Sequence, residues 1–355
     1  GCRTLREAAA LLEGTTVSKP AVPVRTEAEG QAGALPDFAD VKGQRHVIEY
    51  IVAAAAGGHN VLMIGPPGSG KSMIAKRIPT ILPRMNREEA LEVTKIYSVA
   101  NQLTTKGTLV EERPFRNPHH NASTNAIIGG GNDAKPGEIS LAHHGVLFLD
   151  EMAEFSKKTL DALRQPMEDR AVTVTRVNST NTFPANFMLV GAMNPCPCGY
   201  FGQEKCRCTD YEVVKYRNRL SGPILDRMDI QKYVQTIDFY DETTTSRSSA
   251  ELRDRVNAAR AIQYERYRHL AAIYCNAQLT SAHVKEYCQL DAECESLMQK
   301  AYERFHYSGR TMHKFLQVAR TFADLDGAVN IRKQDVMNSL MSRDLDKDQK
   351  ELMAY

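Results

Sequence analysis

The stretch Val61-Leu-Met-Ile-Gly-Pro-Pro-Gly-Ser-Gly-Lys-Ser72 decides the fold of this chain. Its first four residues are a short, continuous apolar run, which is typical of a central parallel strand. The next eight match the pattern G-x-x-x-x-G-K-[ST], whose glycines let backbone N–H groups point inward at phosphate oxygens. A helix predicted from about Lys71 to Ile78 follows, and its N-terminus adds partial positive charge. Strand, glycine-rich turn and helix in this order predict a phosphate-binding site in an α/β fold.

We expect this site to bind ATP and Mg²⁺. Lys71 would reach the β- and γ-phosphates, and the Ser72 hydroxyl would bind Mg²⁺. A chance glycine turn is the plain alternative, but such a turn needs neither the preceding strand nor the following helix. The residues predicted to contact the nucleotide are Gly65, Pro66, Pro67, Gly68, Ser69, Gly70, Lys71 and Ser72.

A second apolar run, Val146–Leu149, ends in Asp150 and Glu151. Open α/β sheets bind ligands at the carboxyl ends of their strands, so both acids are expected to face the phosphate loop. Asp150 would hold Mg²⁺, and Glu151 would polarise the attacking water as general base. Two solvated acids after a strand are common by themselves. Because Lys71 and Glu151 are both present, the sequence favours hydrolysis over nucleotide binding alone.

Further strand and helix signals extend this pattern. A third buried strand is predicted at 187–192, and a β-hairpin is predicted from 172–177 and 180–183. Ser156 is expected to cap a helix that carries Leu160, Leu163 and Met167 on one face. Strand signals fade after about residue 245, and helical periodicity continues at 247–270, 281–288, 291–306, 310–325 and 332–341. The predicted fold class is α/β, a doubly wound parallel-sheet core with β-hairpin insertions, followed by an all-helical lid domain.

Composition narrows the class of protein further. The 355 residues are 42% hydrophobic and 25% charged with a net charge of +2, an ordinary globular mixture. Contact with nucleic acid must therefore come from local basic patches. No run of 18 apolar residues occurs, so we expect no membrane partner. The sequence has eight cysteines but no secretory signal pattern at its N-terminus, so we do not expect disulfides. The same observation favours a cytoplasmic location.

With these residues in view, the chain resembles an AAA+ ATPase of the magnesium-chelatase-like group, and most closely the ComM/YifB family of DNA helicase-like, competence-associated proteins. The resemblance covers about residues 37 to 340. Besides the phosphate loop, it is carried by Asp40-Val-Lys-Gly-Gln44, Gly57-Gly-His-Asn60, Phe115-Arg-Asn-Pro-His-His120, Pro136-Gly-Glu-Ile-Ser-Leu-Ala-His143, Met193-Asn-Pro-Cys-Pro-Cys-Gly199, Leu220-Ser-Gly-Pro-Ile-Leu-Asp-Arg-Met-Asp229 and Ala319-Arg-Thr-Phe-Ala-Asp324. The family also carries a Lon-protease-like N-terminal domain, which this sequence lacks except for a remnant of its last helix.

The resemblance implies a homo-hexameric ring with ATP at the subunit interfaces. Asn194 matches the sensor-1 position that orients the attacking water, although Asn-Pro alone would pass as a turn. Arg227 matches the arginine finger that stabilises transition-state charge on a neighbour's ATP, and an ordinary structural arginine is the alternative. Arg310 matches the sensor-2 position, with Arg320 as its competitor, and the text Thr311-Met-His313 departs slightly from the family pattern.

Two inserted segments are candidates for substrate contact. Lys71 and Asp150 are farther apart in sequence than one strand–helix repeat requires, and the resemblance makes 113–143 a loop that projects into the pore of the ring. The hairpin at 171–184 would lie beside it. Such loops grip backbone phosphates in DNA-translocating relatives, whereas solvated contacts between subunits are the plain alternative. The candidate DNA contacts are Arg116, His119, His120, Lys135 and Arg176.

Four of the cysteines are crowded into 13 residues as Cys196-x-Cys198 and Cys206-x-Cys208. Four thiolates satisfy tetrahedral Zn²⁺, so the spacing favours a structural zinc site. C-x-C pairs are less usual than C-x-x-C pairs. Free thiols in a loop, or redox pairs, remain the alternatives.

The predicted organisation has three parts. Residues 1–40 are a linker and the remnant of an upstream domain, 41–242 are the AAA+ core with both inserts and the cysteine cluster at 196–208, and 243–345 are the helical lid. The predicted function is ATP hydrolysis coupled to translocation on, or remodelling of, DNA. The alternatives are a magnesium-chelatase-type motor subunit that acts on a protein partner, a protein-remodelling chaperone, and a nucleotide switch without hydrolysis.

Overall fold

The computed structural model describes residue 13 and residues 36–103, 109–130, 134–176, 179–236, 246–270 and 273–346, apart from the side chains of 175–179. The predicted linker and upstream remnant at 1–40 therefore lies almost entirely outside the described residues. The side chain of the DNA-contact candidate Arg176 lies outside them as well. In the part of the chain that the structure describes, no helix is both long and apolar enough to cross a membrane.

The strands and helices alternate through the first two thirds of the chain. The strands are β1 (Val61–Ile64), β2 (Phe115–Arg116), β3 (Gly129–Gly130), β4 (Lys135–Pro136), β5 (Val146–Leu149), β6 (Ala171–Arg176), β7 (Ser179–Pro184), β8 (Met188–Met193) and β9 (Ile230–Tyr233). The helices are α1 (Arg45–Gly57), α2 (Lys71–Ile81), α3 (Arg87–Val99), α4 (Thr124–Ile128), α5 (Glu138–Leu141), α6 (Lys157–Ala162), α7 (Arg164–Asp169), α8 (Asp210–Arg217), α9 (Gly222–Leu225), α10 (Ser249–Tyr267), α11 (Ser281–Tyr287), α12 (Ala292–Phe305), α13 (Gly309–Leu325) and α14 (Lys333–Leu340).

The main sheet has five parallel strands in the order β2-β5-β8-β1-β9. Side chains of β1 alternate between two apolar clusters: Val61 and Met63 face one, and Leu62 and Ile64 face the other. Both faces of the sheet are therefore buried, which explains why β1 and β5 are continuous apolar runs rather than alternating ones. The predicted doubly wound α/β core is confirmed.

The predicted hairpin is also present. Strands β6 and β7 pair antiparallel from Ala171–Pro184 to Arg176–Ser179, and each strand begins and ends one residue away from its predicted limits. Threonine hydroxyls at 173 and 182 lie 3.1 Å apart across the ribbon. A second, two-stranded antiparallel sheet joins β3 and β4 inside the 113–143 insert.

From α10 onward the chain is helical, as predicted. The clearest predicted stripe is on α13, where Phe315 and Ala319 are buried in a third apolar cluster with residues of α11, α12 and α14. The opposite side of α13 packs on the core, where Val318 and Phe322 join the cluster that contains α1. The helical region is thus bound to the sheet through α1.

The helix predicted to start at Ser156 is divided in two. Ser156 caps it as expected, because its hydroxyl accepts a hydrogen bond from the Thr159 N–H. However, α6 ends at Ala162 and α7 begins at Arg164. Pro166 explains the break, since a proline has no N–H for the helix ladder and its ring clashes with the carbonyl four residues earlier.

Candidate functional site

The phosphate loop connects the carboxyl end of β1 to the N-terminus of α2. The Gly65 N–H donates to the Met193 carbonyl at 3.1 Å, which fixes the start of the loop against β8. Gly68 and Gly70 have φ angles of +77° and +88°, a region that side chains rarely adopt. These angles turn the loop back on itself, which is the backbone form that an anion-binding concavity requires.

Lys71 closes this loop from inside. Its ammonium donates to the Gly65 and Pro66 carbonyls at 2.6 and 2.8 Å, and only 9% of the residue is exposed. Burial lowers the pKa of Lys71 to about 8, while nearby Asp150 opposes the shift. A buried cation held by two carbonyls and, at 3.4 Å, the Ser69 hydroxyl suits a phosphate anion, so the donor set fits a nucleotide.

The two predicted Mg²⁺ residues are in direct contact. The Ser72 hydroxyl donates to Asp150 Oδ2 at 2.7 Å. The other carboxylate oxygen of Asp150 accepts the Glu151 N–H at 3.0 Å. Ser72 lies in the first turn of α2 and Asp150 follows β5, so residues 78 positions apart meet at one end of the sheet. A hydroxyl and a carboxylate at the mouth of a phosphate loop are the oxygen ligands that Mg²⁺ prefers.

Glu151 stands beside this pair in an unusual backbone conformation. Its φ of +49° lies in the left-handed region, and its side chain is 57% exposed. The carboxylate contacts His120 Nδ1 at 3.1 Å, and the rings of His119 and His120 lie 4.2 Å apart. A histidine predicted to touch DNA therefore lies against the predicted general base.

Asn194 follows β8 directly and so lies at the same edge of the sheet as the phosphate loop. Residues 194–199 then turn toward this loop. A Cβ added to Gly199 would lie 2.7 Å from Pro67 Cδ and 3.9 Å from Asn194 Cγ. The segment that carries the first two clustered cysteines is therefore packed against the phosphate loop.

Arg227 and Arg310 lie elsewhere, and they meet at Glu168. Arg227 contacts the Glu168 carboxylate at 2.7 Å, and Arg310 contacts the same oxygen. The Arg227 carbonyl accepts a hydrogen bond from Asn60, which immediately precedes β1. Four strand residues, about 13 Å, separate Asn60 from the phosphate loop. The two arginines therefore lie near the amino ends of the strands, whereas the phosphate loop of their own chain lies at the carboxyl ends.

Arg320, the alternative residue for the sensor-2 position, is held at the end of α13 by hydrogen bonds within its own chain. It is 2% exposed and donates to Asp324 and to the carbonyls of Ala328 and Val329. These partners hold the turn after α13. Arg310 at the start of the helix is half exposed instead.

A buried cluster of charged and polar side chains joins α13 to the residues next to Arg227. Asp229 contacts Lys314 of α13 and lies 3.6 Å from His59 Nδ1, while His59 Nε2 is 2.8 Å from the Thr321 hydroxyl. Burial opposes ionisation of Asp229, but Lys314 and His59 outweigh it and hold its pKa below the usual range. Sequence reasoning missed these roles, although Gly57-Gly-His-Asn60 and Asp229 are in the motifs already singled out.

The 113–143 insert is more ordered than the predicted loop. It contains β2, α4, β3, β4 and α5, and its Ile127 and Ile139 are fully buried in the core. Arg116 is bound to Glu138 by two contacts of 2.6 and 2.8 Å, so this candidate is held by a carboxylate of its own chain. Lys135 is exposed. Apolar residues inside the insert therefore anchor it to the core, and its projection into the pore of a ring stays a prediction.

The four clustered cysteines come together as the spacing predicted. The sulfurs of Cys196, Cys198, Cys206 and Cys208 all lie within 4.8 Å of one another. The Cys196–Cys198, Cys196–Cys206 and Cys198–Cys206 sulfurs are 3.4, 3.9 and 3.7 Å apart. Zn–S bonds of about 2.3 Å in a tetrahedron place sulfurs roughly 3.8 Å apart. The donor set therefore fits Zn²⁺.

A second group of ligand-type side chains, Glu92, His143 and His144, does not fit a metal. The His143 Nδ1 accepts the Asn186 N–H at 3.0 Å, so the proton of a neutral ring is on Nε2. That nitrogen lies 3.0 Å from Glu92 Oε2 and donates to it. The lone pair that a metal would need is therefore absent from Nε2. This cluster fastens α3 to the segment before β5.

Comparison with known proteins agrees with this fold. The family model described as magnesium chelatase, subunit ChlI, matches residues 37–242, and the model of its C-terminal part matches 246–343. These matches define the class: an AAA+ ATPase of the magnesium-chelatase type.

Three curated relatives narrow the class. The uncharacterized protein YifB of Escherichia coli is 41% identical over 88% of this chain and 61% of its own length. The competence protein ComM of Haemophilus influenzae is 42% identical over 86% and 59%. The uncharacterized protein Rv2897c of Mycobacterium tuberculosis is 36% identical over 97% and 68%. The chain belongs to the ComM/YifB family, and it spans about three fifths of the length of the first two relatives.

Proposed function

We propose that this chain hydrolyses ATP in a homo-hexameric ring and uses turnover to move along, or remodel, DNA. The observation that carries the ATPase part is the 2.7 Å hydrogen bond from Ser72 to Asp150, which joins the phosphate loop to the acidic strand end. Lys71 and the loop amides hold the β- and γ-phosphates, and Ser72 and Asp150 hold Mg²⁺. The metal, when bound, neutralises charge on the phosphate oxygens.

In this proposal, Glu151 and Asn194 activate and orient the attacking water. Both follow strands of the main sheet, and both lie at its nucleotide edge. Glu151 accepts the water's proton as general base, and the Asn194 amide orients the water. The contact of Glu151 with His120 supports a link between the insert and hydrolysis, because any force on the insert reaches the base directly.

Arg227 and Arg310 complete the nucleotide site of a neighbouring subunit. Their distance from the phosphate loop of their own chain supports this assignment, since a guanidinium at the far edge of the sheet can serve only a nucleotide outside its own chain. Glu168 keeps both arginines together. Each ATP is therefore expected between two subunits.

DNA is the polymer that the surface and the relatives favour. The insert presents Lys135 and the His119–His120 pair, and one relative is named a competence protein. The alternative of a magnesium-chelatase-type motor with a protein partner is supported by the family models alone. A protein-remodelling chaperone is the third candidate.

One experiment separates these functions. ATPase rates are measured alone, with single-stranded, duplex and branched DNA, and with an unfolded protein, and Lys71→Ala serves as the blank. DNA-stimulated turnover together with salt-sensitive DNA binding supports the proposal. No DNA binding at low salt would sink the DNA part, and stimulation by unfolded protein would favour the chaperone. Full activity of Lys71→Ala would refute the site.

We also propose that Cys196, Cys198, Cys206 and Cys208 hold a structural Zn²⁺. Sulfur–sulfur distances of 3.4, 3.7 and 3.9 Å support this proposal, because they match the edges of a tetrahedral zinc site. Elemental analysis of the purified protein should find about one zinc per chain, and less than about 0.2 would reject the site.

A further inference from the structure

The thiol cluster and the phosphate loop are neighbours, because Gly199 of the cysteine segment packs directly on Pro67 of the loop. The chain leaves β8 at Met193 and reaches Asn194, Cys196, Cys198 and Gly199 within six residues. Any change in the position of the cysteines therefore acts on both the phosphate loop and Asn194.

The far side of the cysteine segment is held by Arg217. This arginine, 1% exposed, donates from Nε to the Pro195 carbonyl at 3.2 Å, and its guanidinium lies 4.8 Å from the centre of the Phe201 ring. It also donates to the Tyr233 hydroxyl at 3.1 Å, at the end of β9. Residues 195 and 201 are thus fixed to the sheet edge on both sides of Gly199.

Between these two points the thiols add to backbone hydrogen bonds that shape the turn, such as the bond from the Gly199 N–H to the Cys196 carbonyl at 3.0 Å. Cys196 is fully buried, whereas Cys198, Cys206 and Cys208 are partly exposed. A metal among them would tie residues 196–198 to 206–208 and hold the intervening turn in one shape. We propose that zinc in this cluster presses Gly199 against Pro67 and so controls the nucleotide affinity of the phosphate loop. This inference rests on the proposed ATP and zinc sites.

The metal then acts as a positioning device, not as a participant in hydrolysis. With zinc bound, the turn at 199 braces the phosphate loop and Asn194 in register. Without zinc, the four thiols no longer hold the turn and the brace is lost. Small displacements of binding groups are costly, so we expect zinc removal to weaken ATP binding roughly tenfold or more.

Two glycines in the same segment provide a matched pair for the contact. Gly199 and Gly202 have φ angles of +87° and +83°, so alanine strains the backbone similarly at either position. A Cβ at 199 would lie 2.7 Å from Pro67 Cδ, but a Cβ at 202 meets nothing within 4 Å. The variants therefore differ in the collision with the phosphate loop alone.

The experiment measures the Kd of a fluorescent ATP analogue with excess Mg²⁺ restored. It compares the purified protein, the protein stripped with a zinc-selective chelator, and the stripped protein after zinc is added back. Circular dichroism checks that the stripped protein is folded. We expect roughly tenfold weaker binding after stripping and full recovery with zinc. Gly199→Ala should keep its zinc yet bind the analogue similarly weakly, and Gly202→Ala should match the wild type.

The outcomes distinguish the proposals from one another. Unchanged affinity in folded, zinc-free protein overturns the inference and leaves the zinc and ATP sites standing. Equal effects of the two alanine variants overturn the Pro67 contact. A purified protein without zinc overturns the zinc site and this inference together. Failure of the wild type to bind the analogue any better than Lys71→Ala would instead overturn the ATP site.

Discussion

Burial lowers the pKa of Lys71 in the phosphate loop to about 8, which makes nucleotide binding sensitive to pH if the proposed site is correct. Phosphate oxygens would replace the carbonyls that hold its ammonium, and an anion favours the charged form of a lysine. Because the pKa of Lys71 is about 8 without nucleotide, the protein must take up a proton to bind phosphate above that pH.

ATP affinity is therefore expected to be level below about pH 8 and to weaken by up to about tenfold per pH unit above it. Isothermal titration in buffers of different ionisation enthalpy would detect the proton taken up. Lys71→Arg is the control, because a guanidinium stays charged and removes the inflection even if it binds more weakly. An inflection that persists in Lys71→Arg would contradict the assignment to Lys71.

At the scale of structural elements, the 113–143 insert contains both residues that fasten it to the core and residues exposed on its surface. Arg113 belongs to the anchor: it donates to the carbonyls of Pro83 and His144 and contacts Glu89 at 3.1 Å. Desolvation lowers the pKa of Arg113. Lys135, in contrast, is exposed on β4.

Arg113→Met should lower the free energy of unfolding by about 2–3 kcal/mol, because it removes the donor to two partly buried carbonyls and the ion pair with Glu89. Lys135→Met should change stability by less than about 0.5 kcal/mol but weaken DNA binding and its salt dependence. Urea denaturation and DNA-binding titrations measure the two effects. Wild-type DNA binding by Lys135→Met would contradict the proposed role of Lys135 in DNA contact. Wild-type stability of Arg113→Met would contradict the role of Arg113 in anchoring the insert.

The same elements show what sequence could predict. Strands β1 and β5 were predicted at their observed limits, because a strand buried on both faces is an unbroken apolar run. Strand β9 was missed because Gln231 and Lys232 interrupt its apolar pattern. Both are buried through partners near the C-terminus: the Gln231 N–H donates to the Ser342 carbonyl, and Lys232 contacts Asp344 at 2.8 Å. No local pattern reveals partners more than a hundred residues away.

Helix α3 was missed for a different reason. Its N-terminus carries a local signal, a capping box in which Asn86 and Glu89 exchange hydrogen bonds, so sequence could have found it. At the site, the contact of Ser72 with Asp150 follows from the meeting of strand ends at one sheet edge. The contacts of Glu151 with His120 and of Glu168 with two arginines depend on how the insert and lid pack, which spacing does not encode.

For the whole molecule, the separation of the two edges of the sheet gives a test of assembly. Lys71→Ala subunits keep an intact Arg227, and Arg227→Ala subunits keep an intact phosphate loop. Each variant alone should be inactive. A mixture should recover up to about a quarter of wild-type turnover, since random assembly pairs an intact loop with an intact arginine at about that fraction of interfaces.

A steady-state ATPase assay of the mixture measures this recovery. Lys71→Ala mixed with Glu151→Gln is the control. Both residues belong to the nucleotide site of their own chain, so every subunit in this mixture has a damaged site. No recovery of turnover is therefore expected. Mixed assemblies that form but stay inactive would exclude Arg227 from a neighbour's site.

Strand β1 has one more consequence. It carries the phosphate loop at its carboxyl end and, at its other end, Asn60, whose side chain and backbone hold Arg227, Leu189 and Asp229. This short buried strand thus connects the phosphate loop of a chain to Arg227. If Arg227 serves the neighbouring subunit, as proposed, a ring would transmit the loss of a nucleotide from each subunit to the neighbour on one side only.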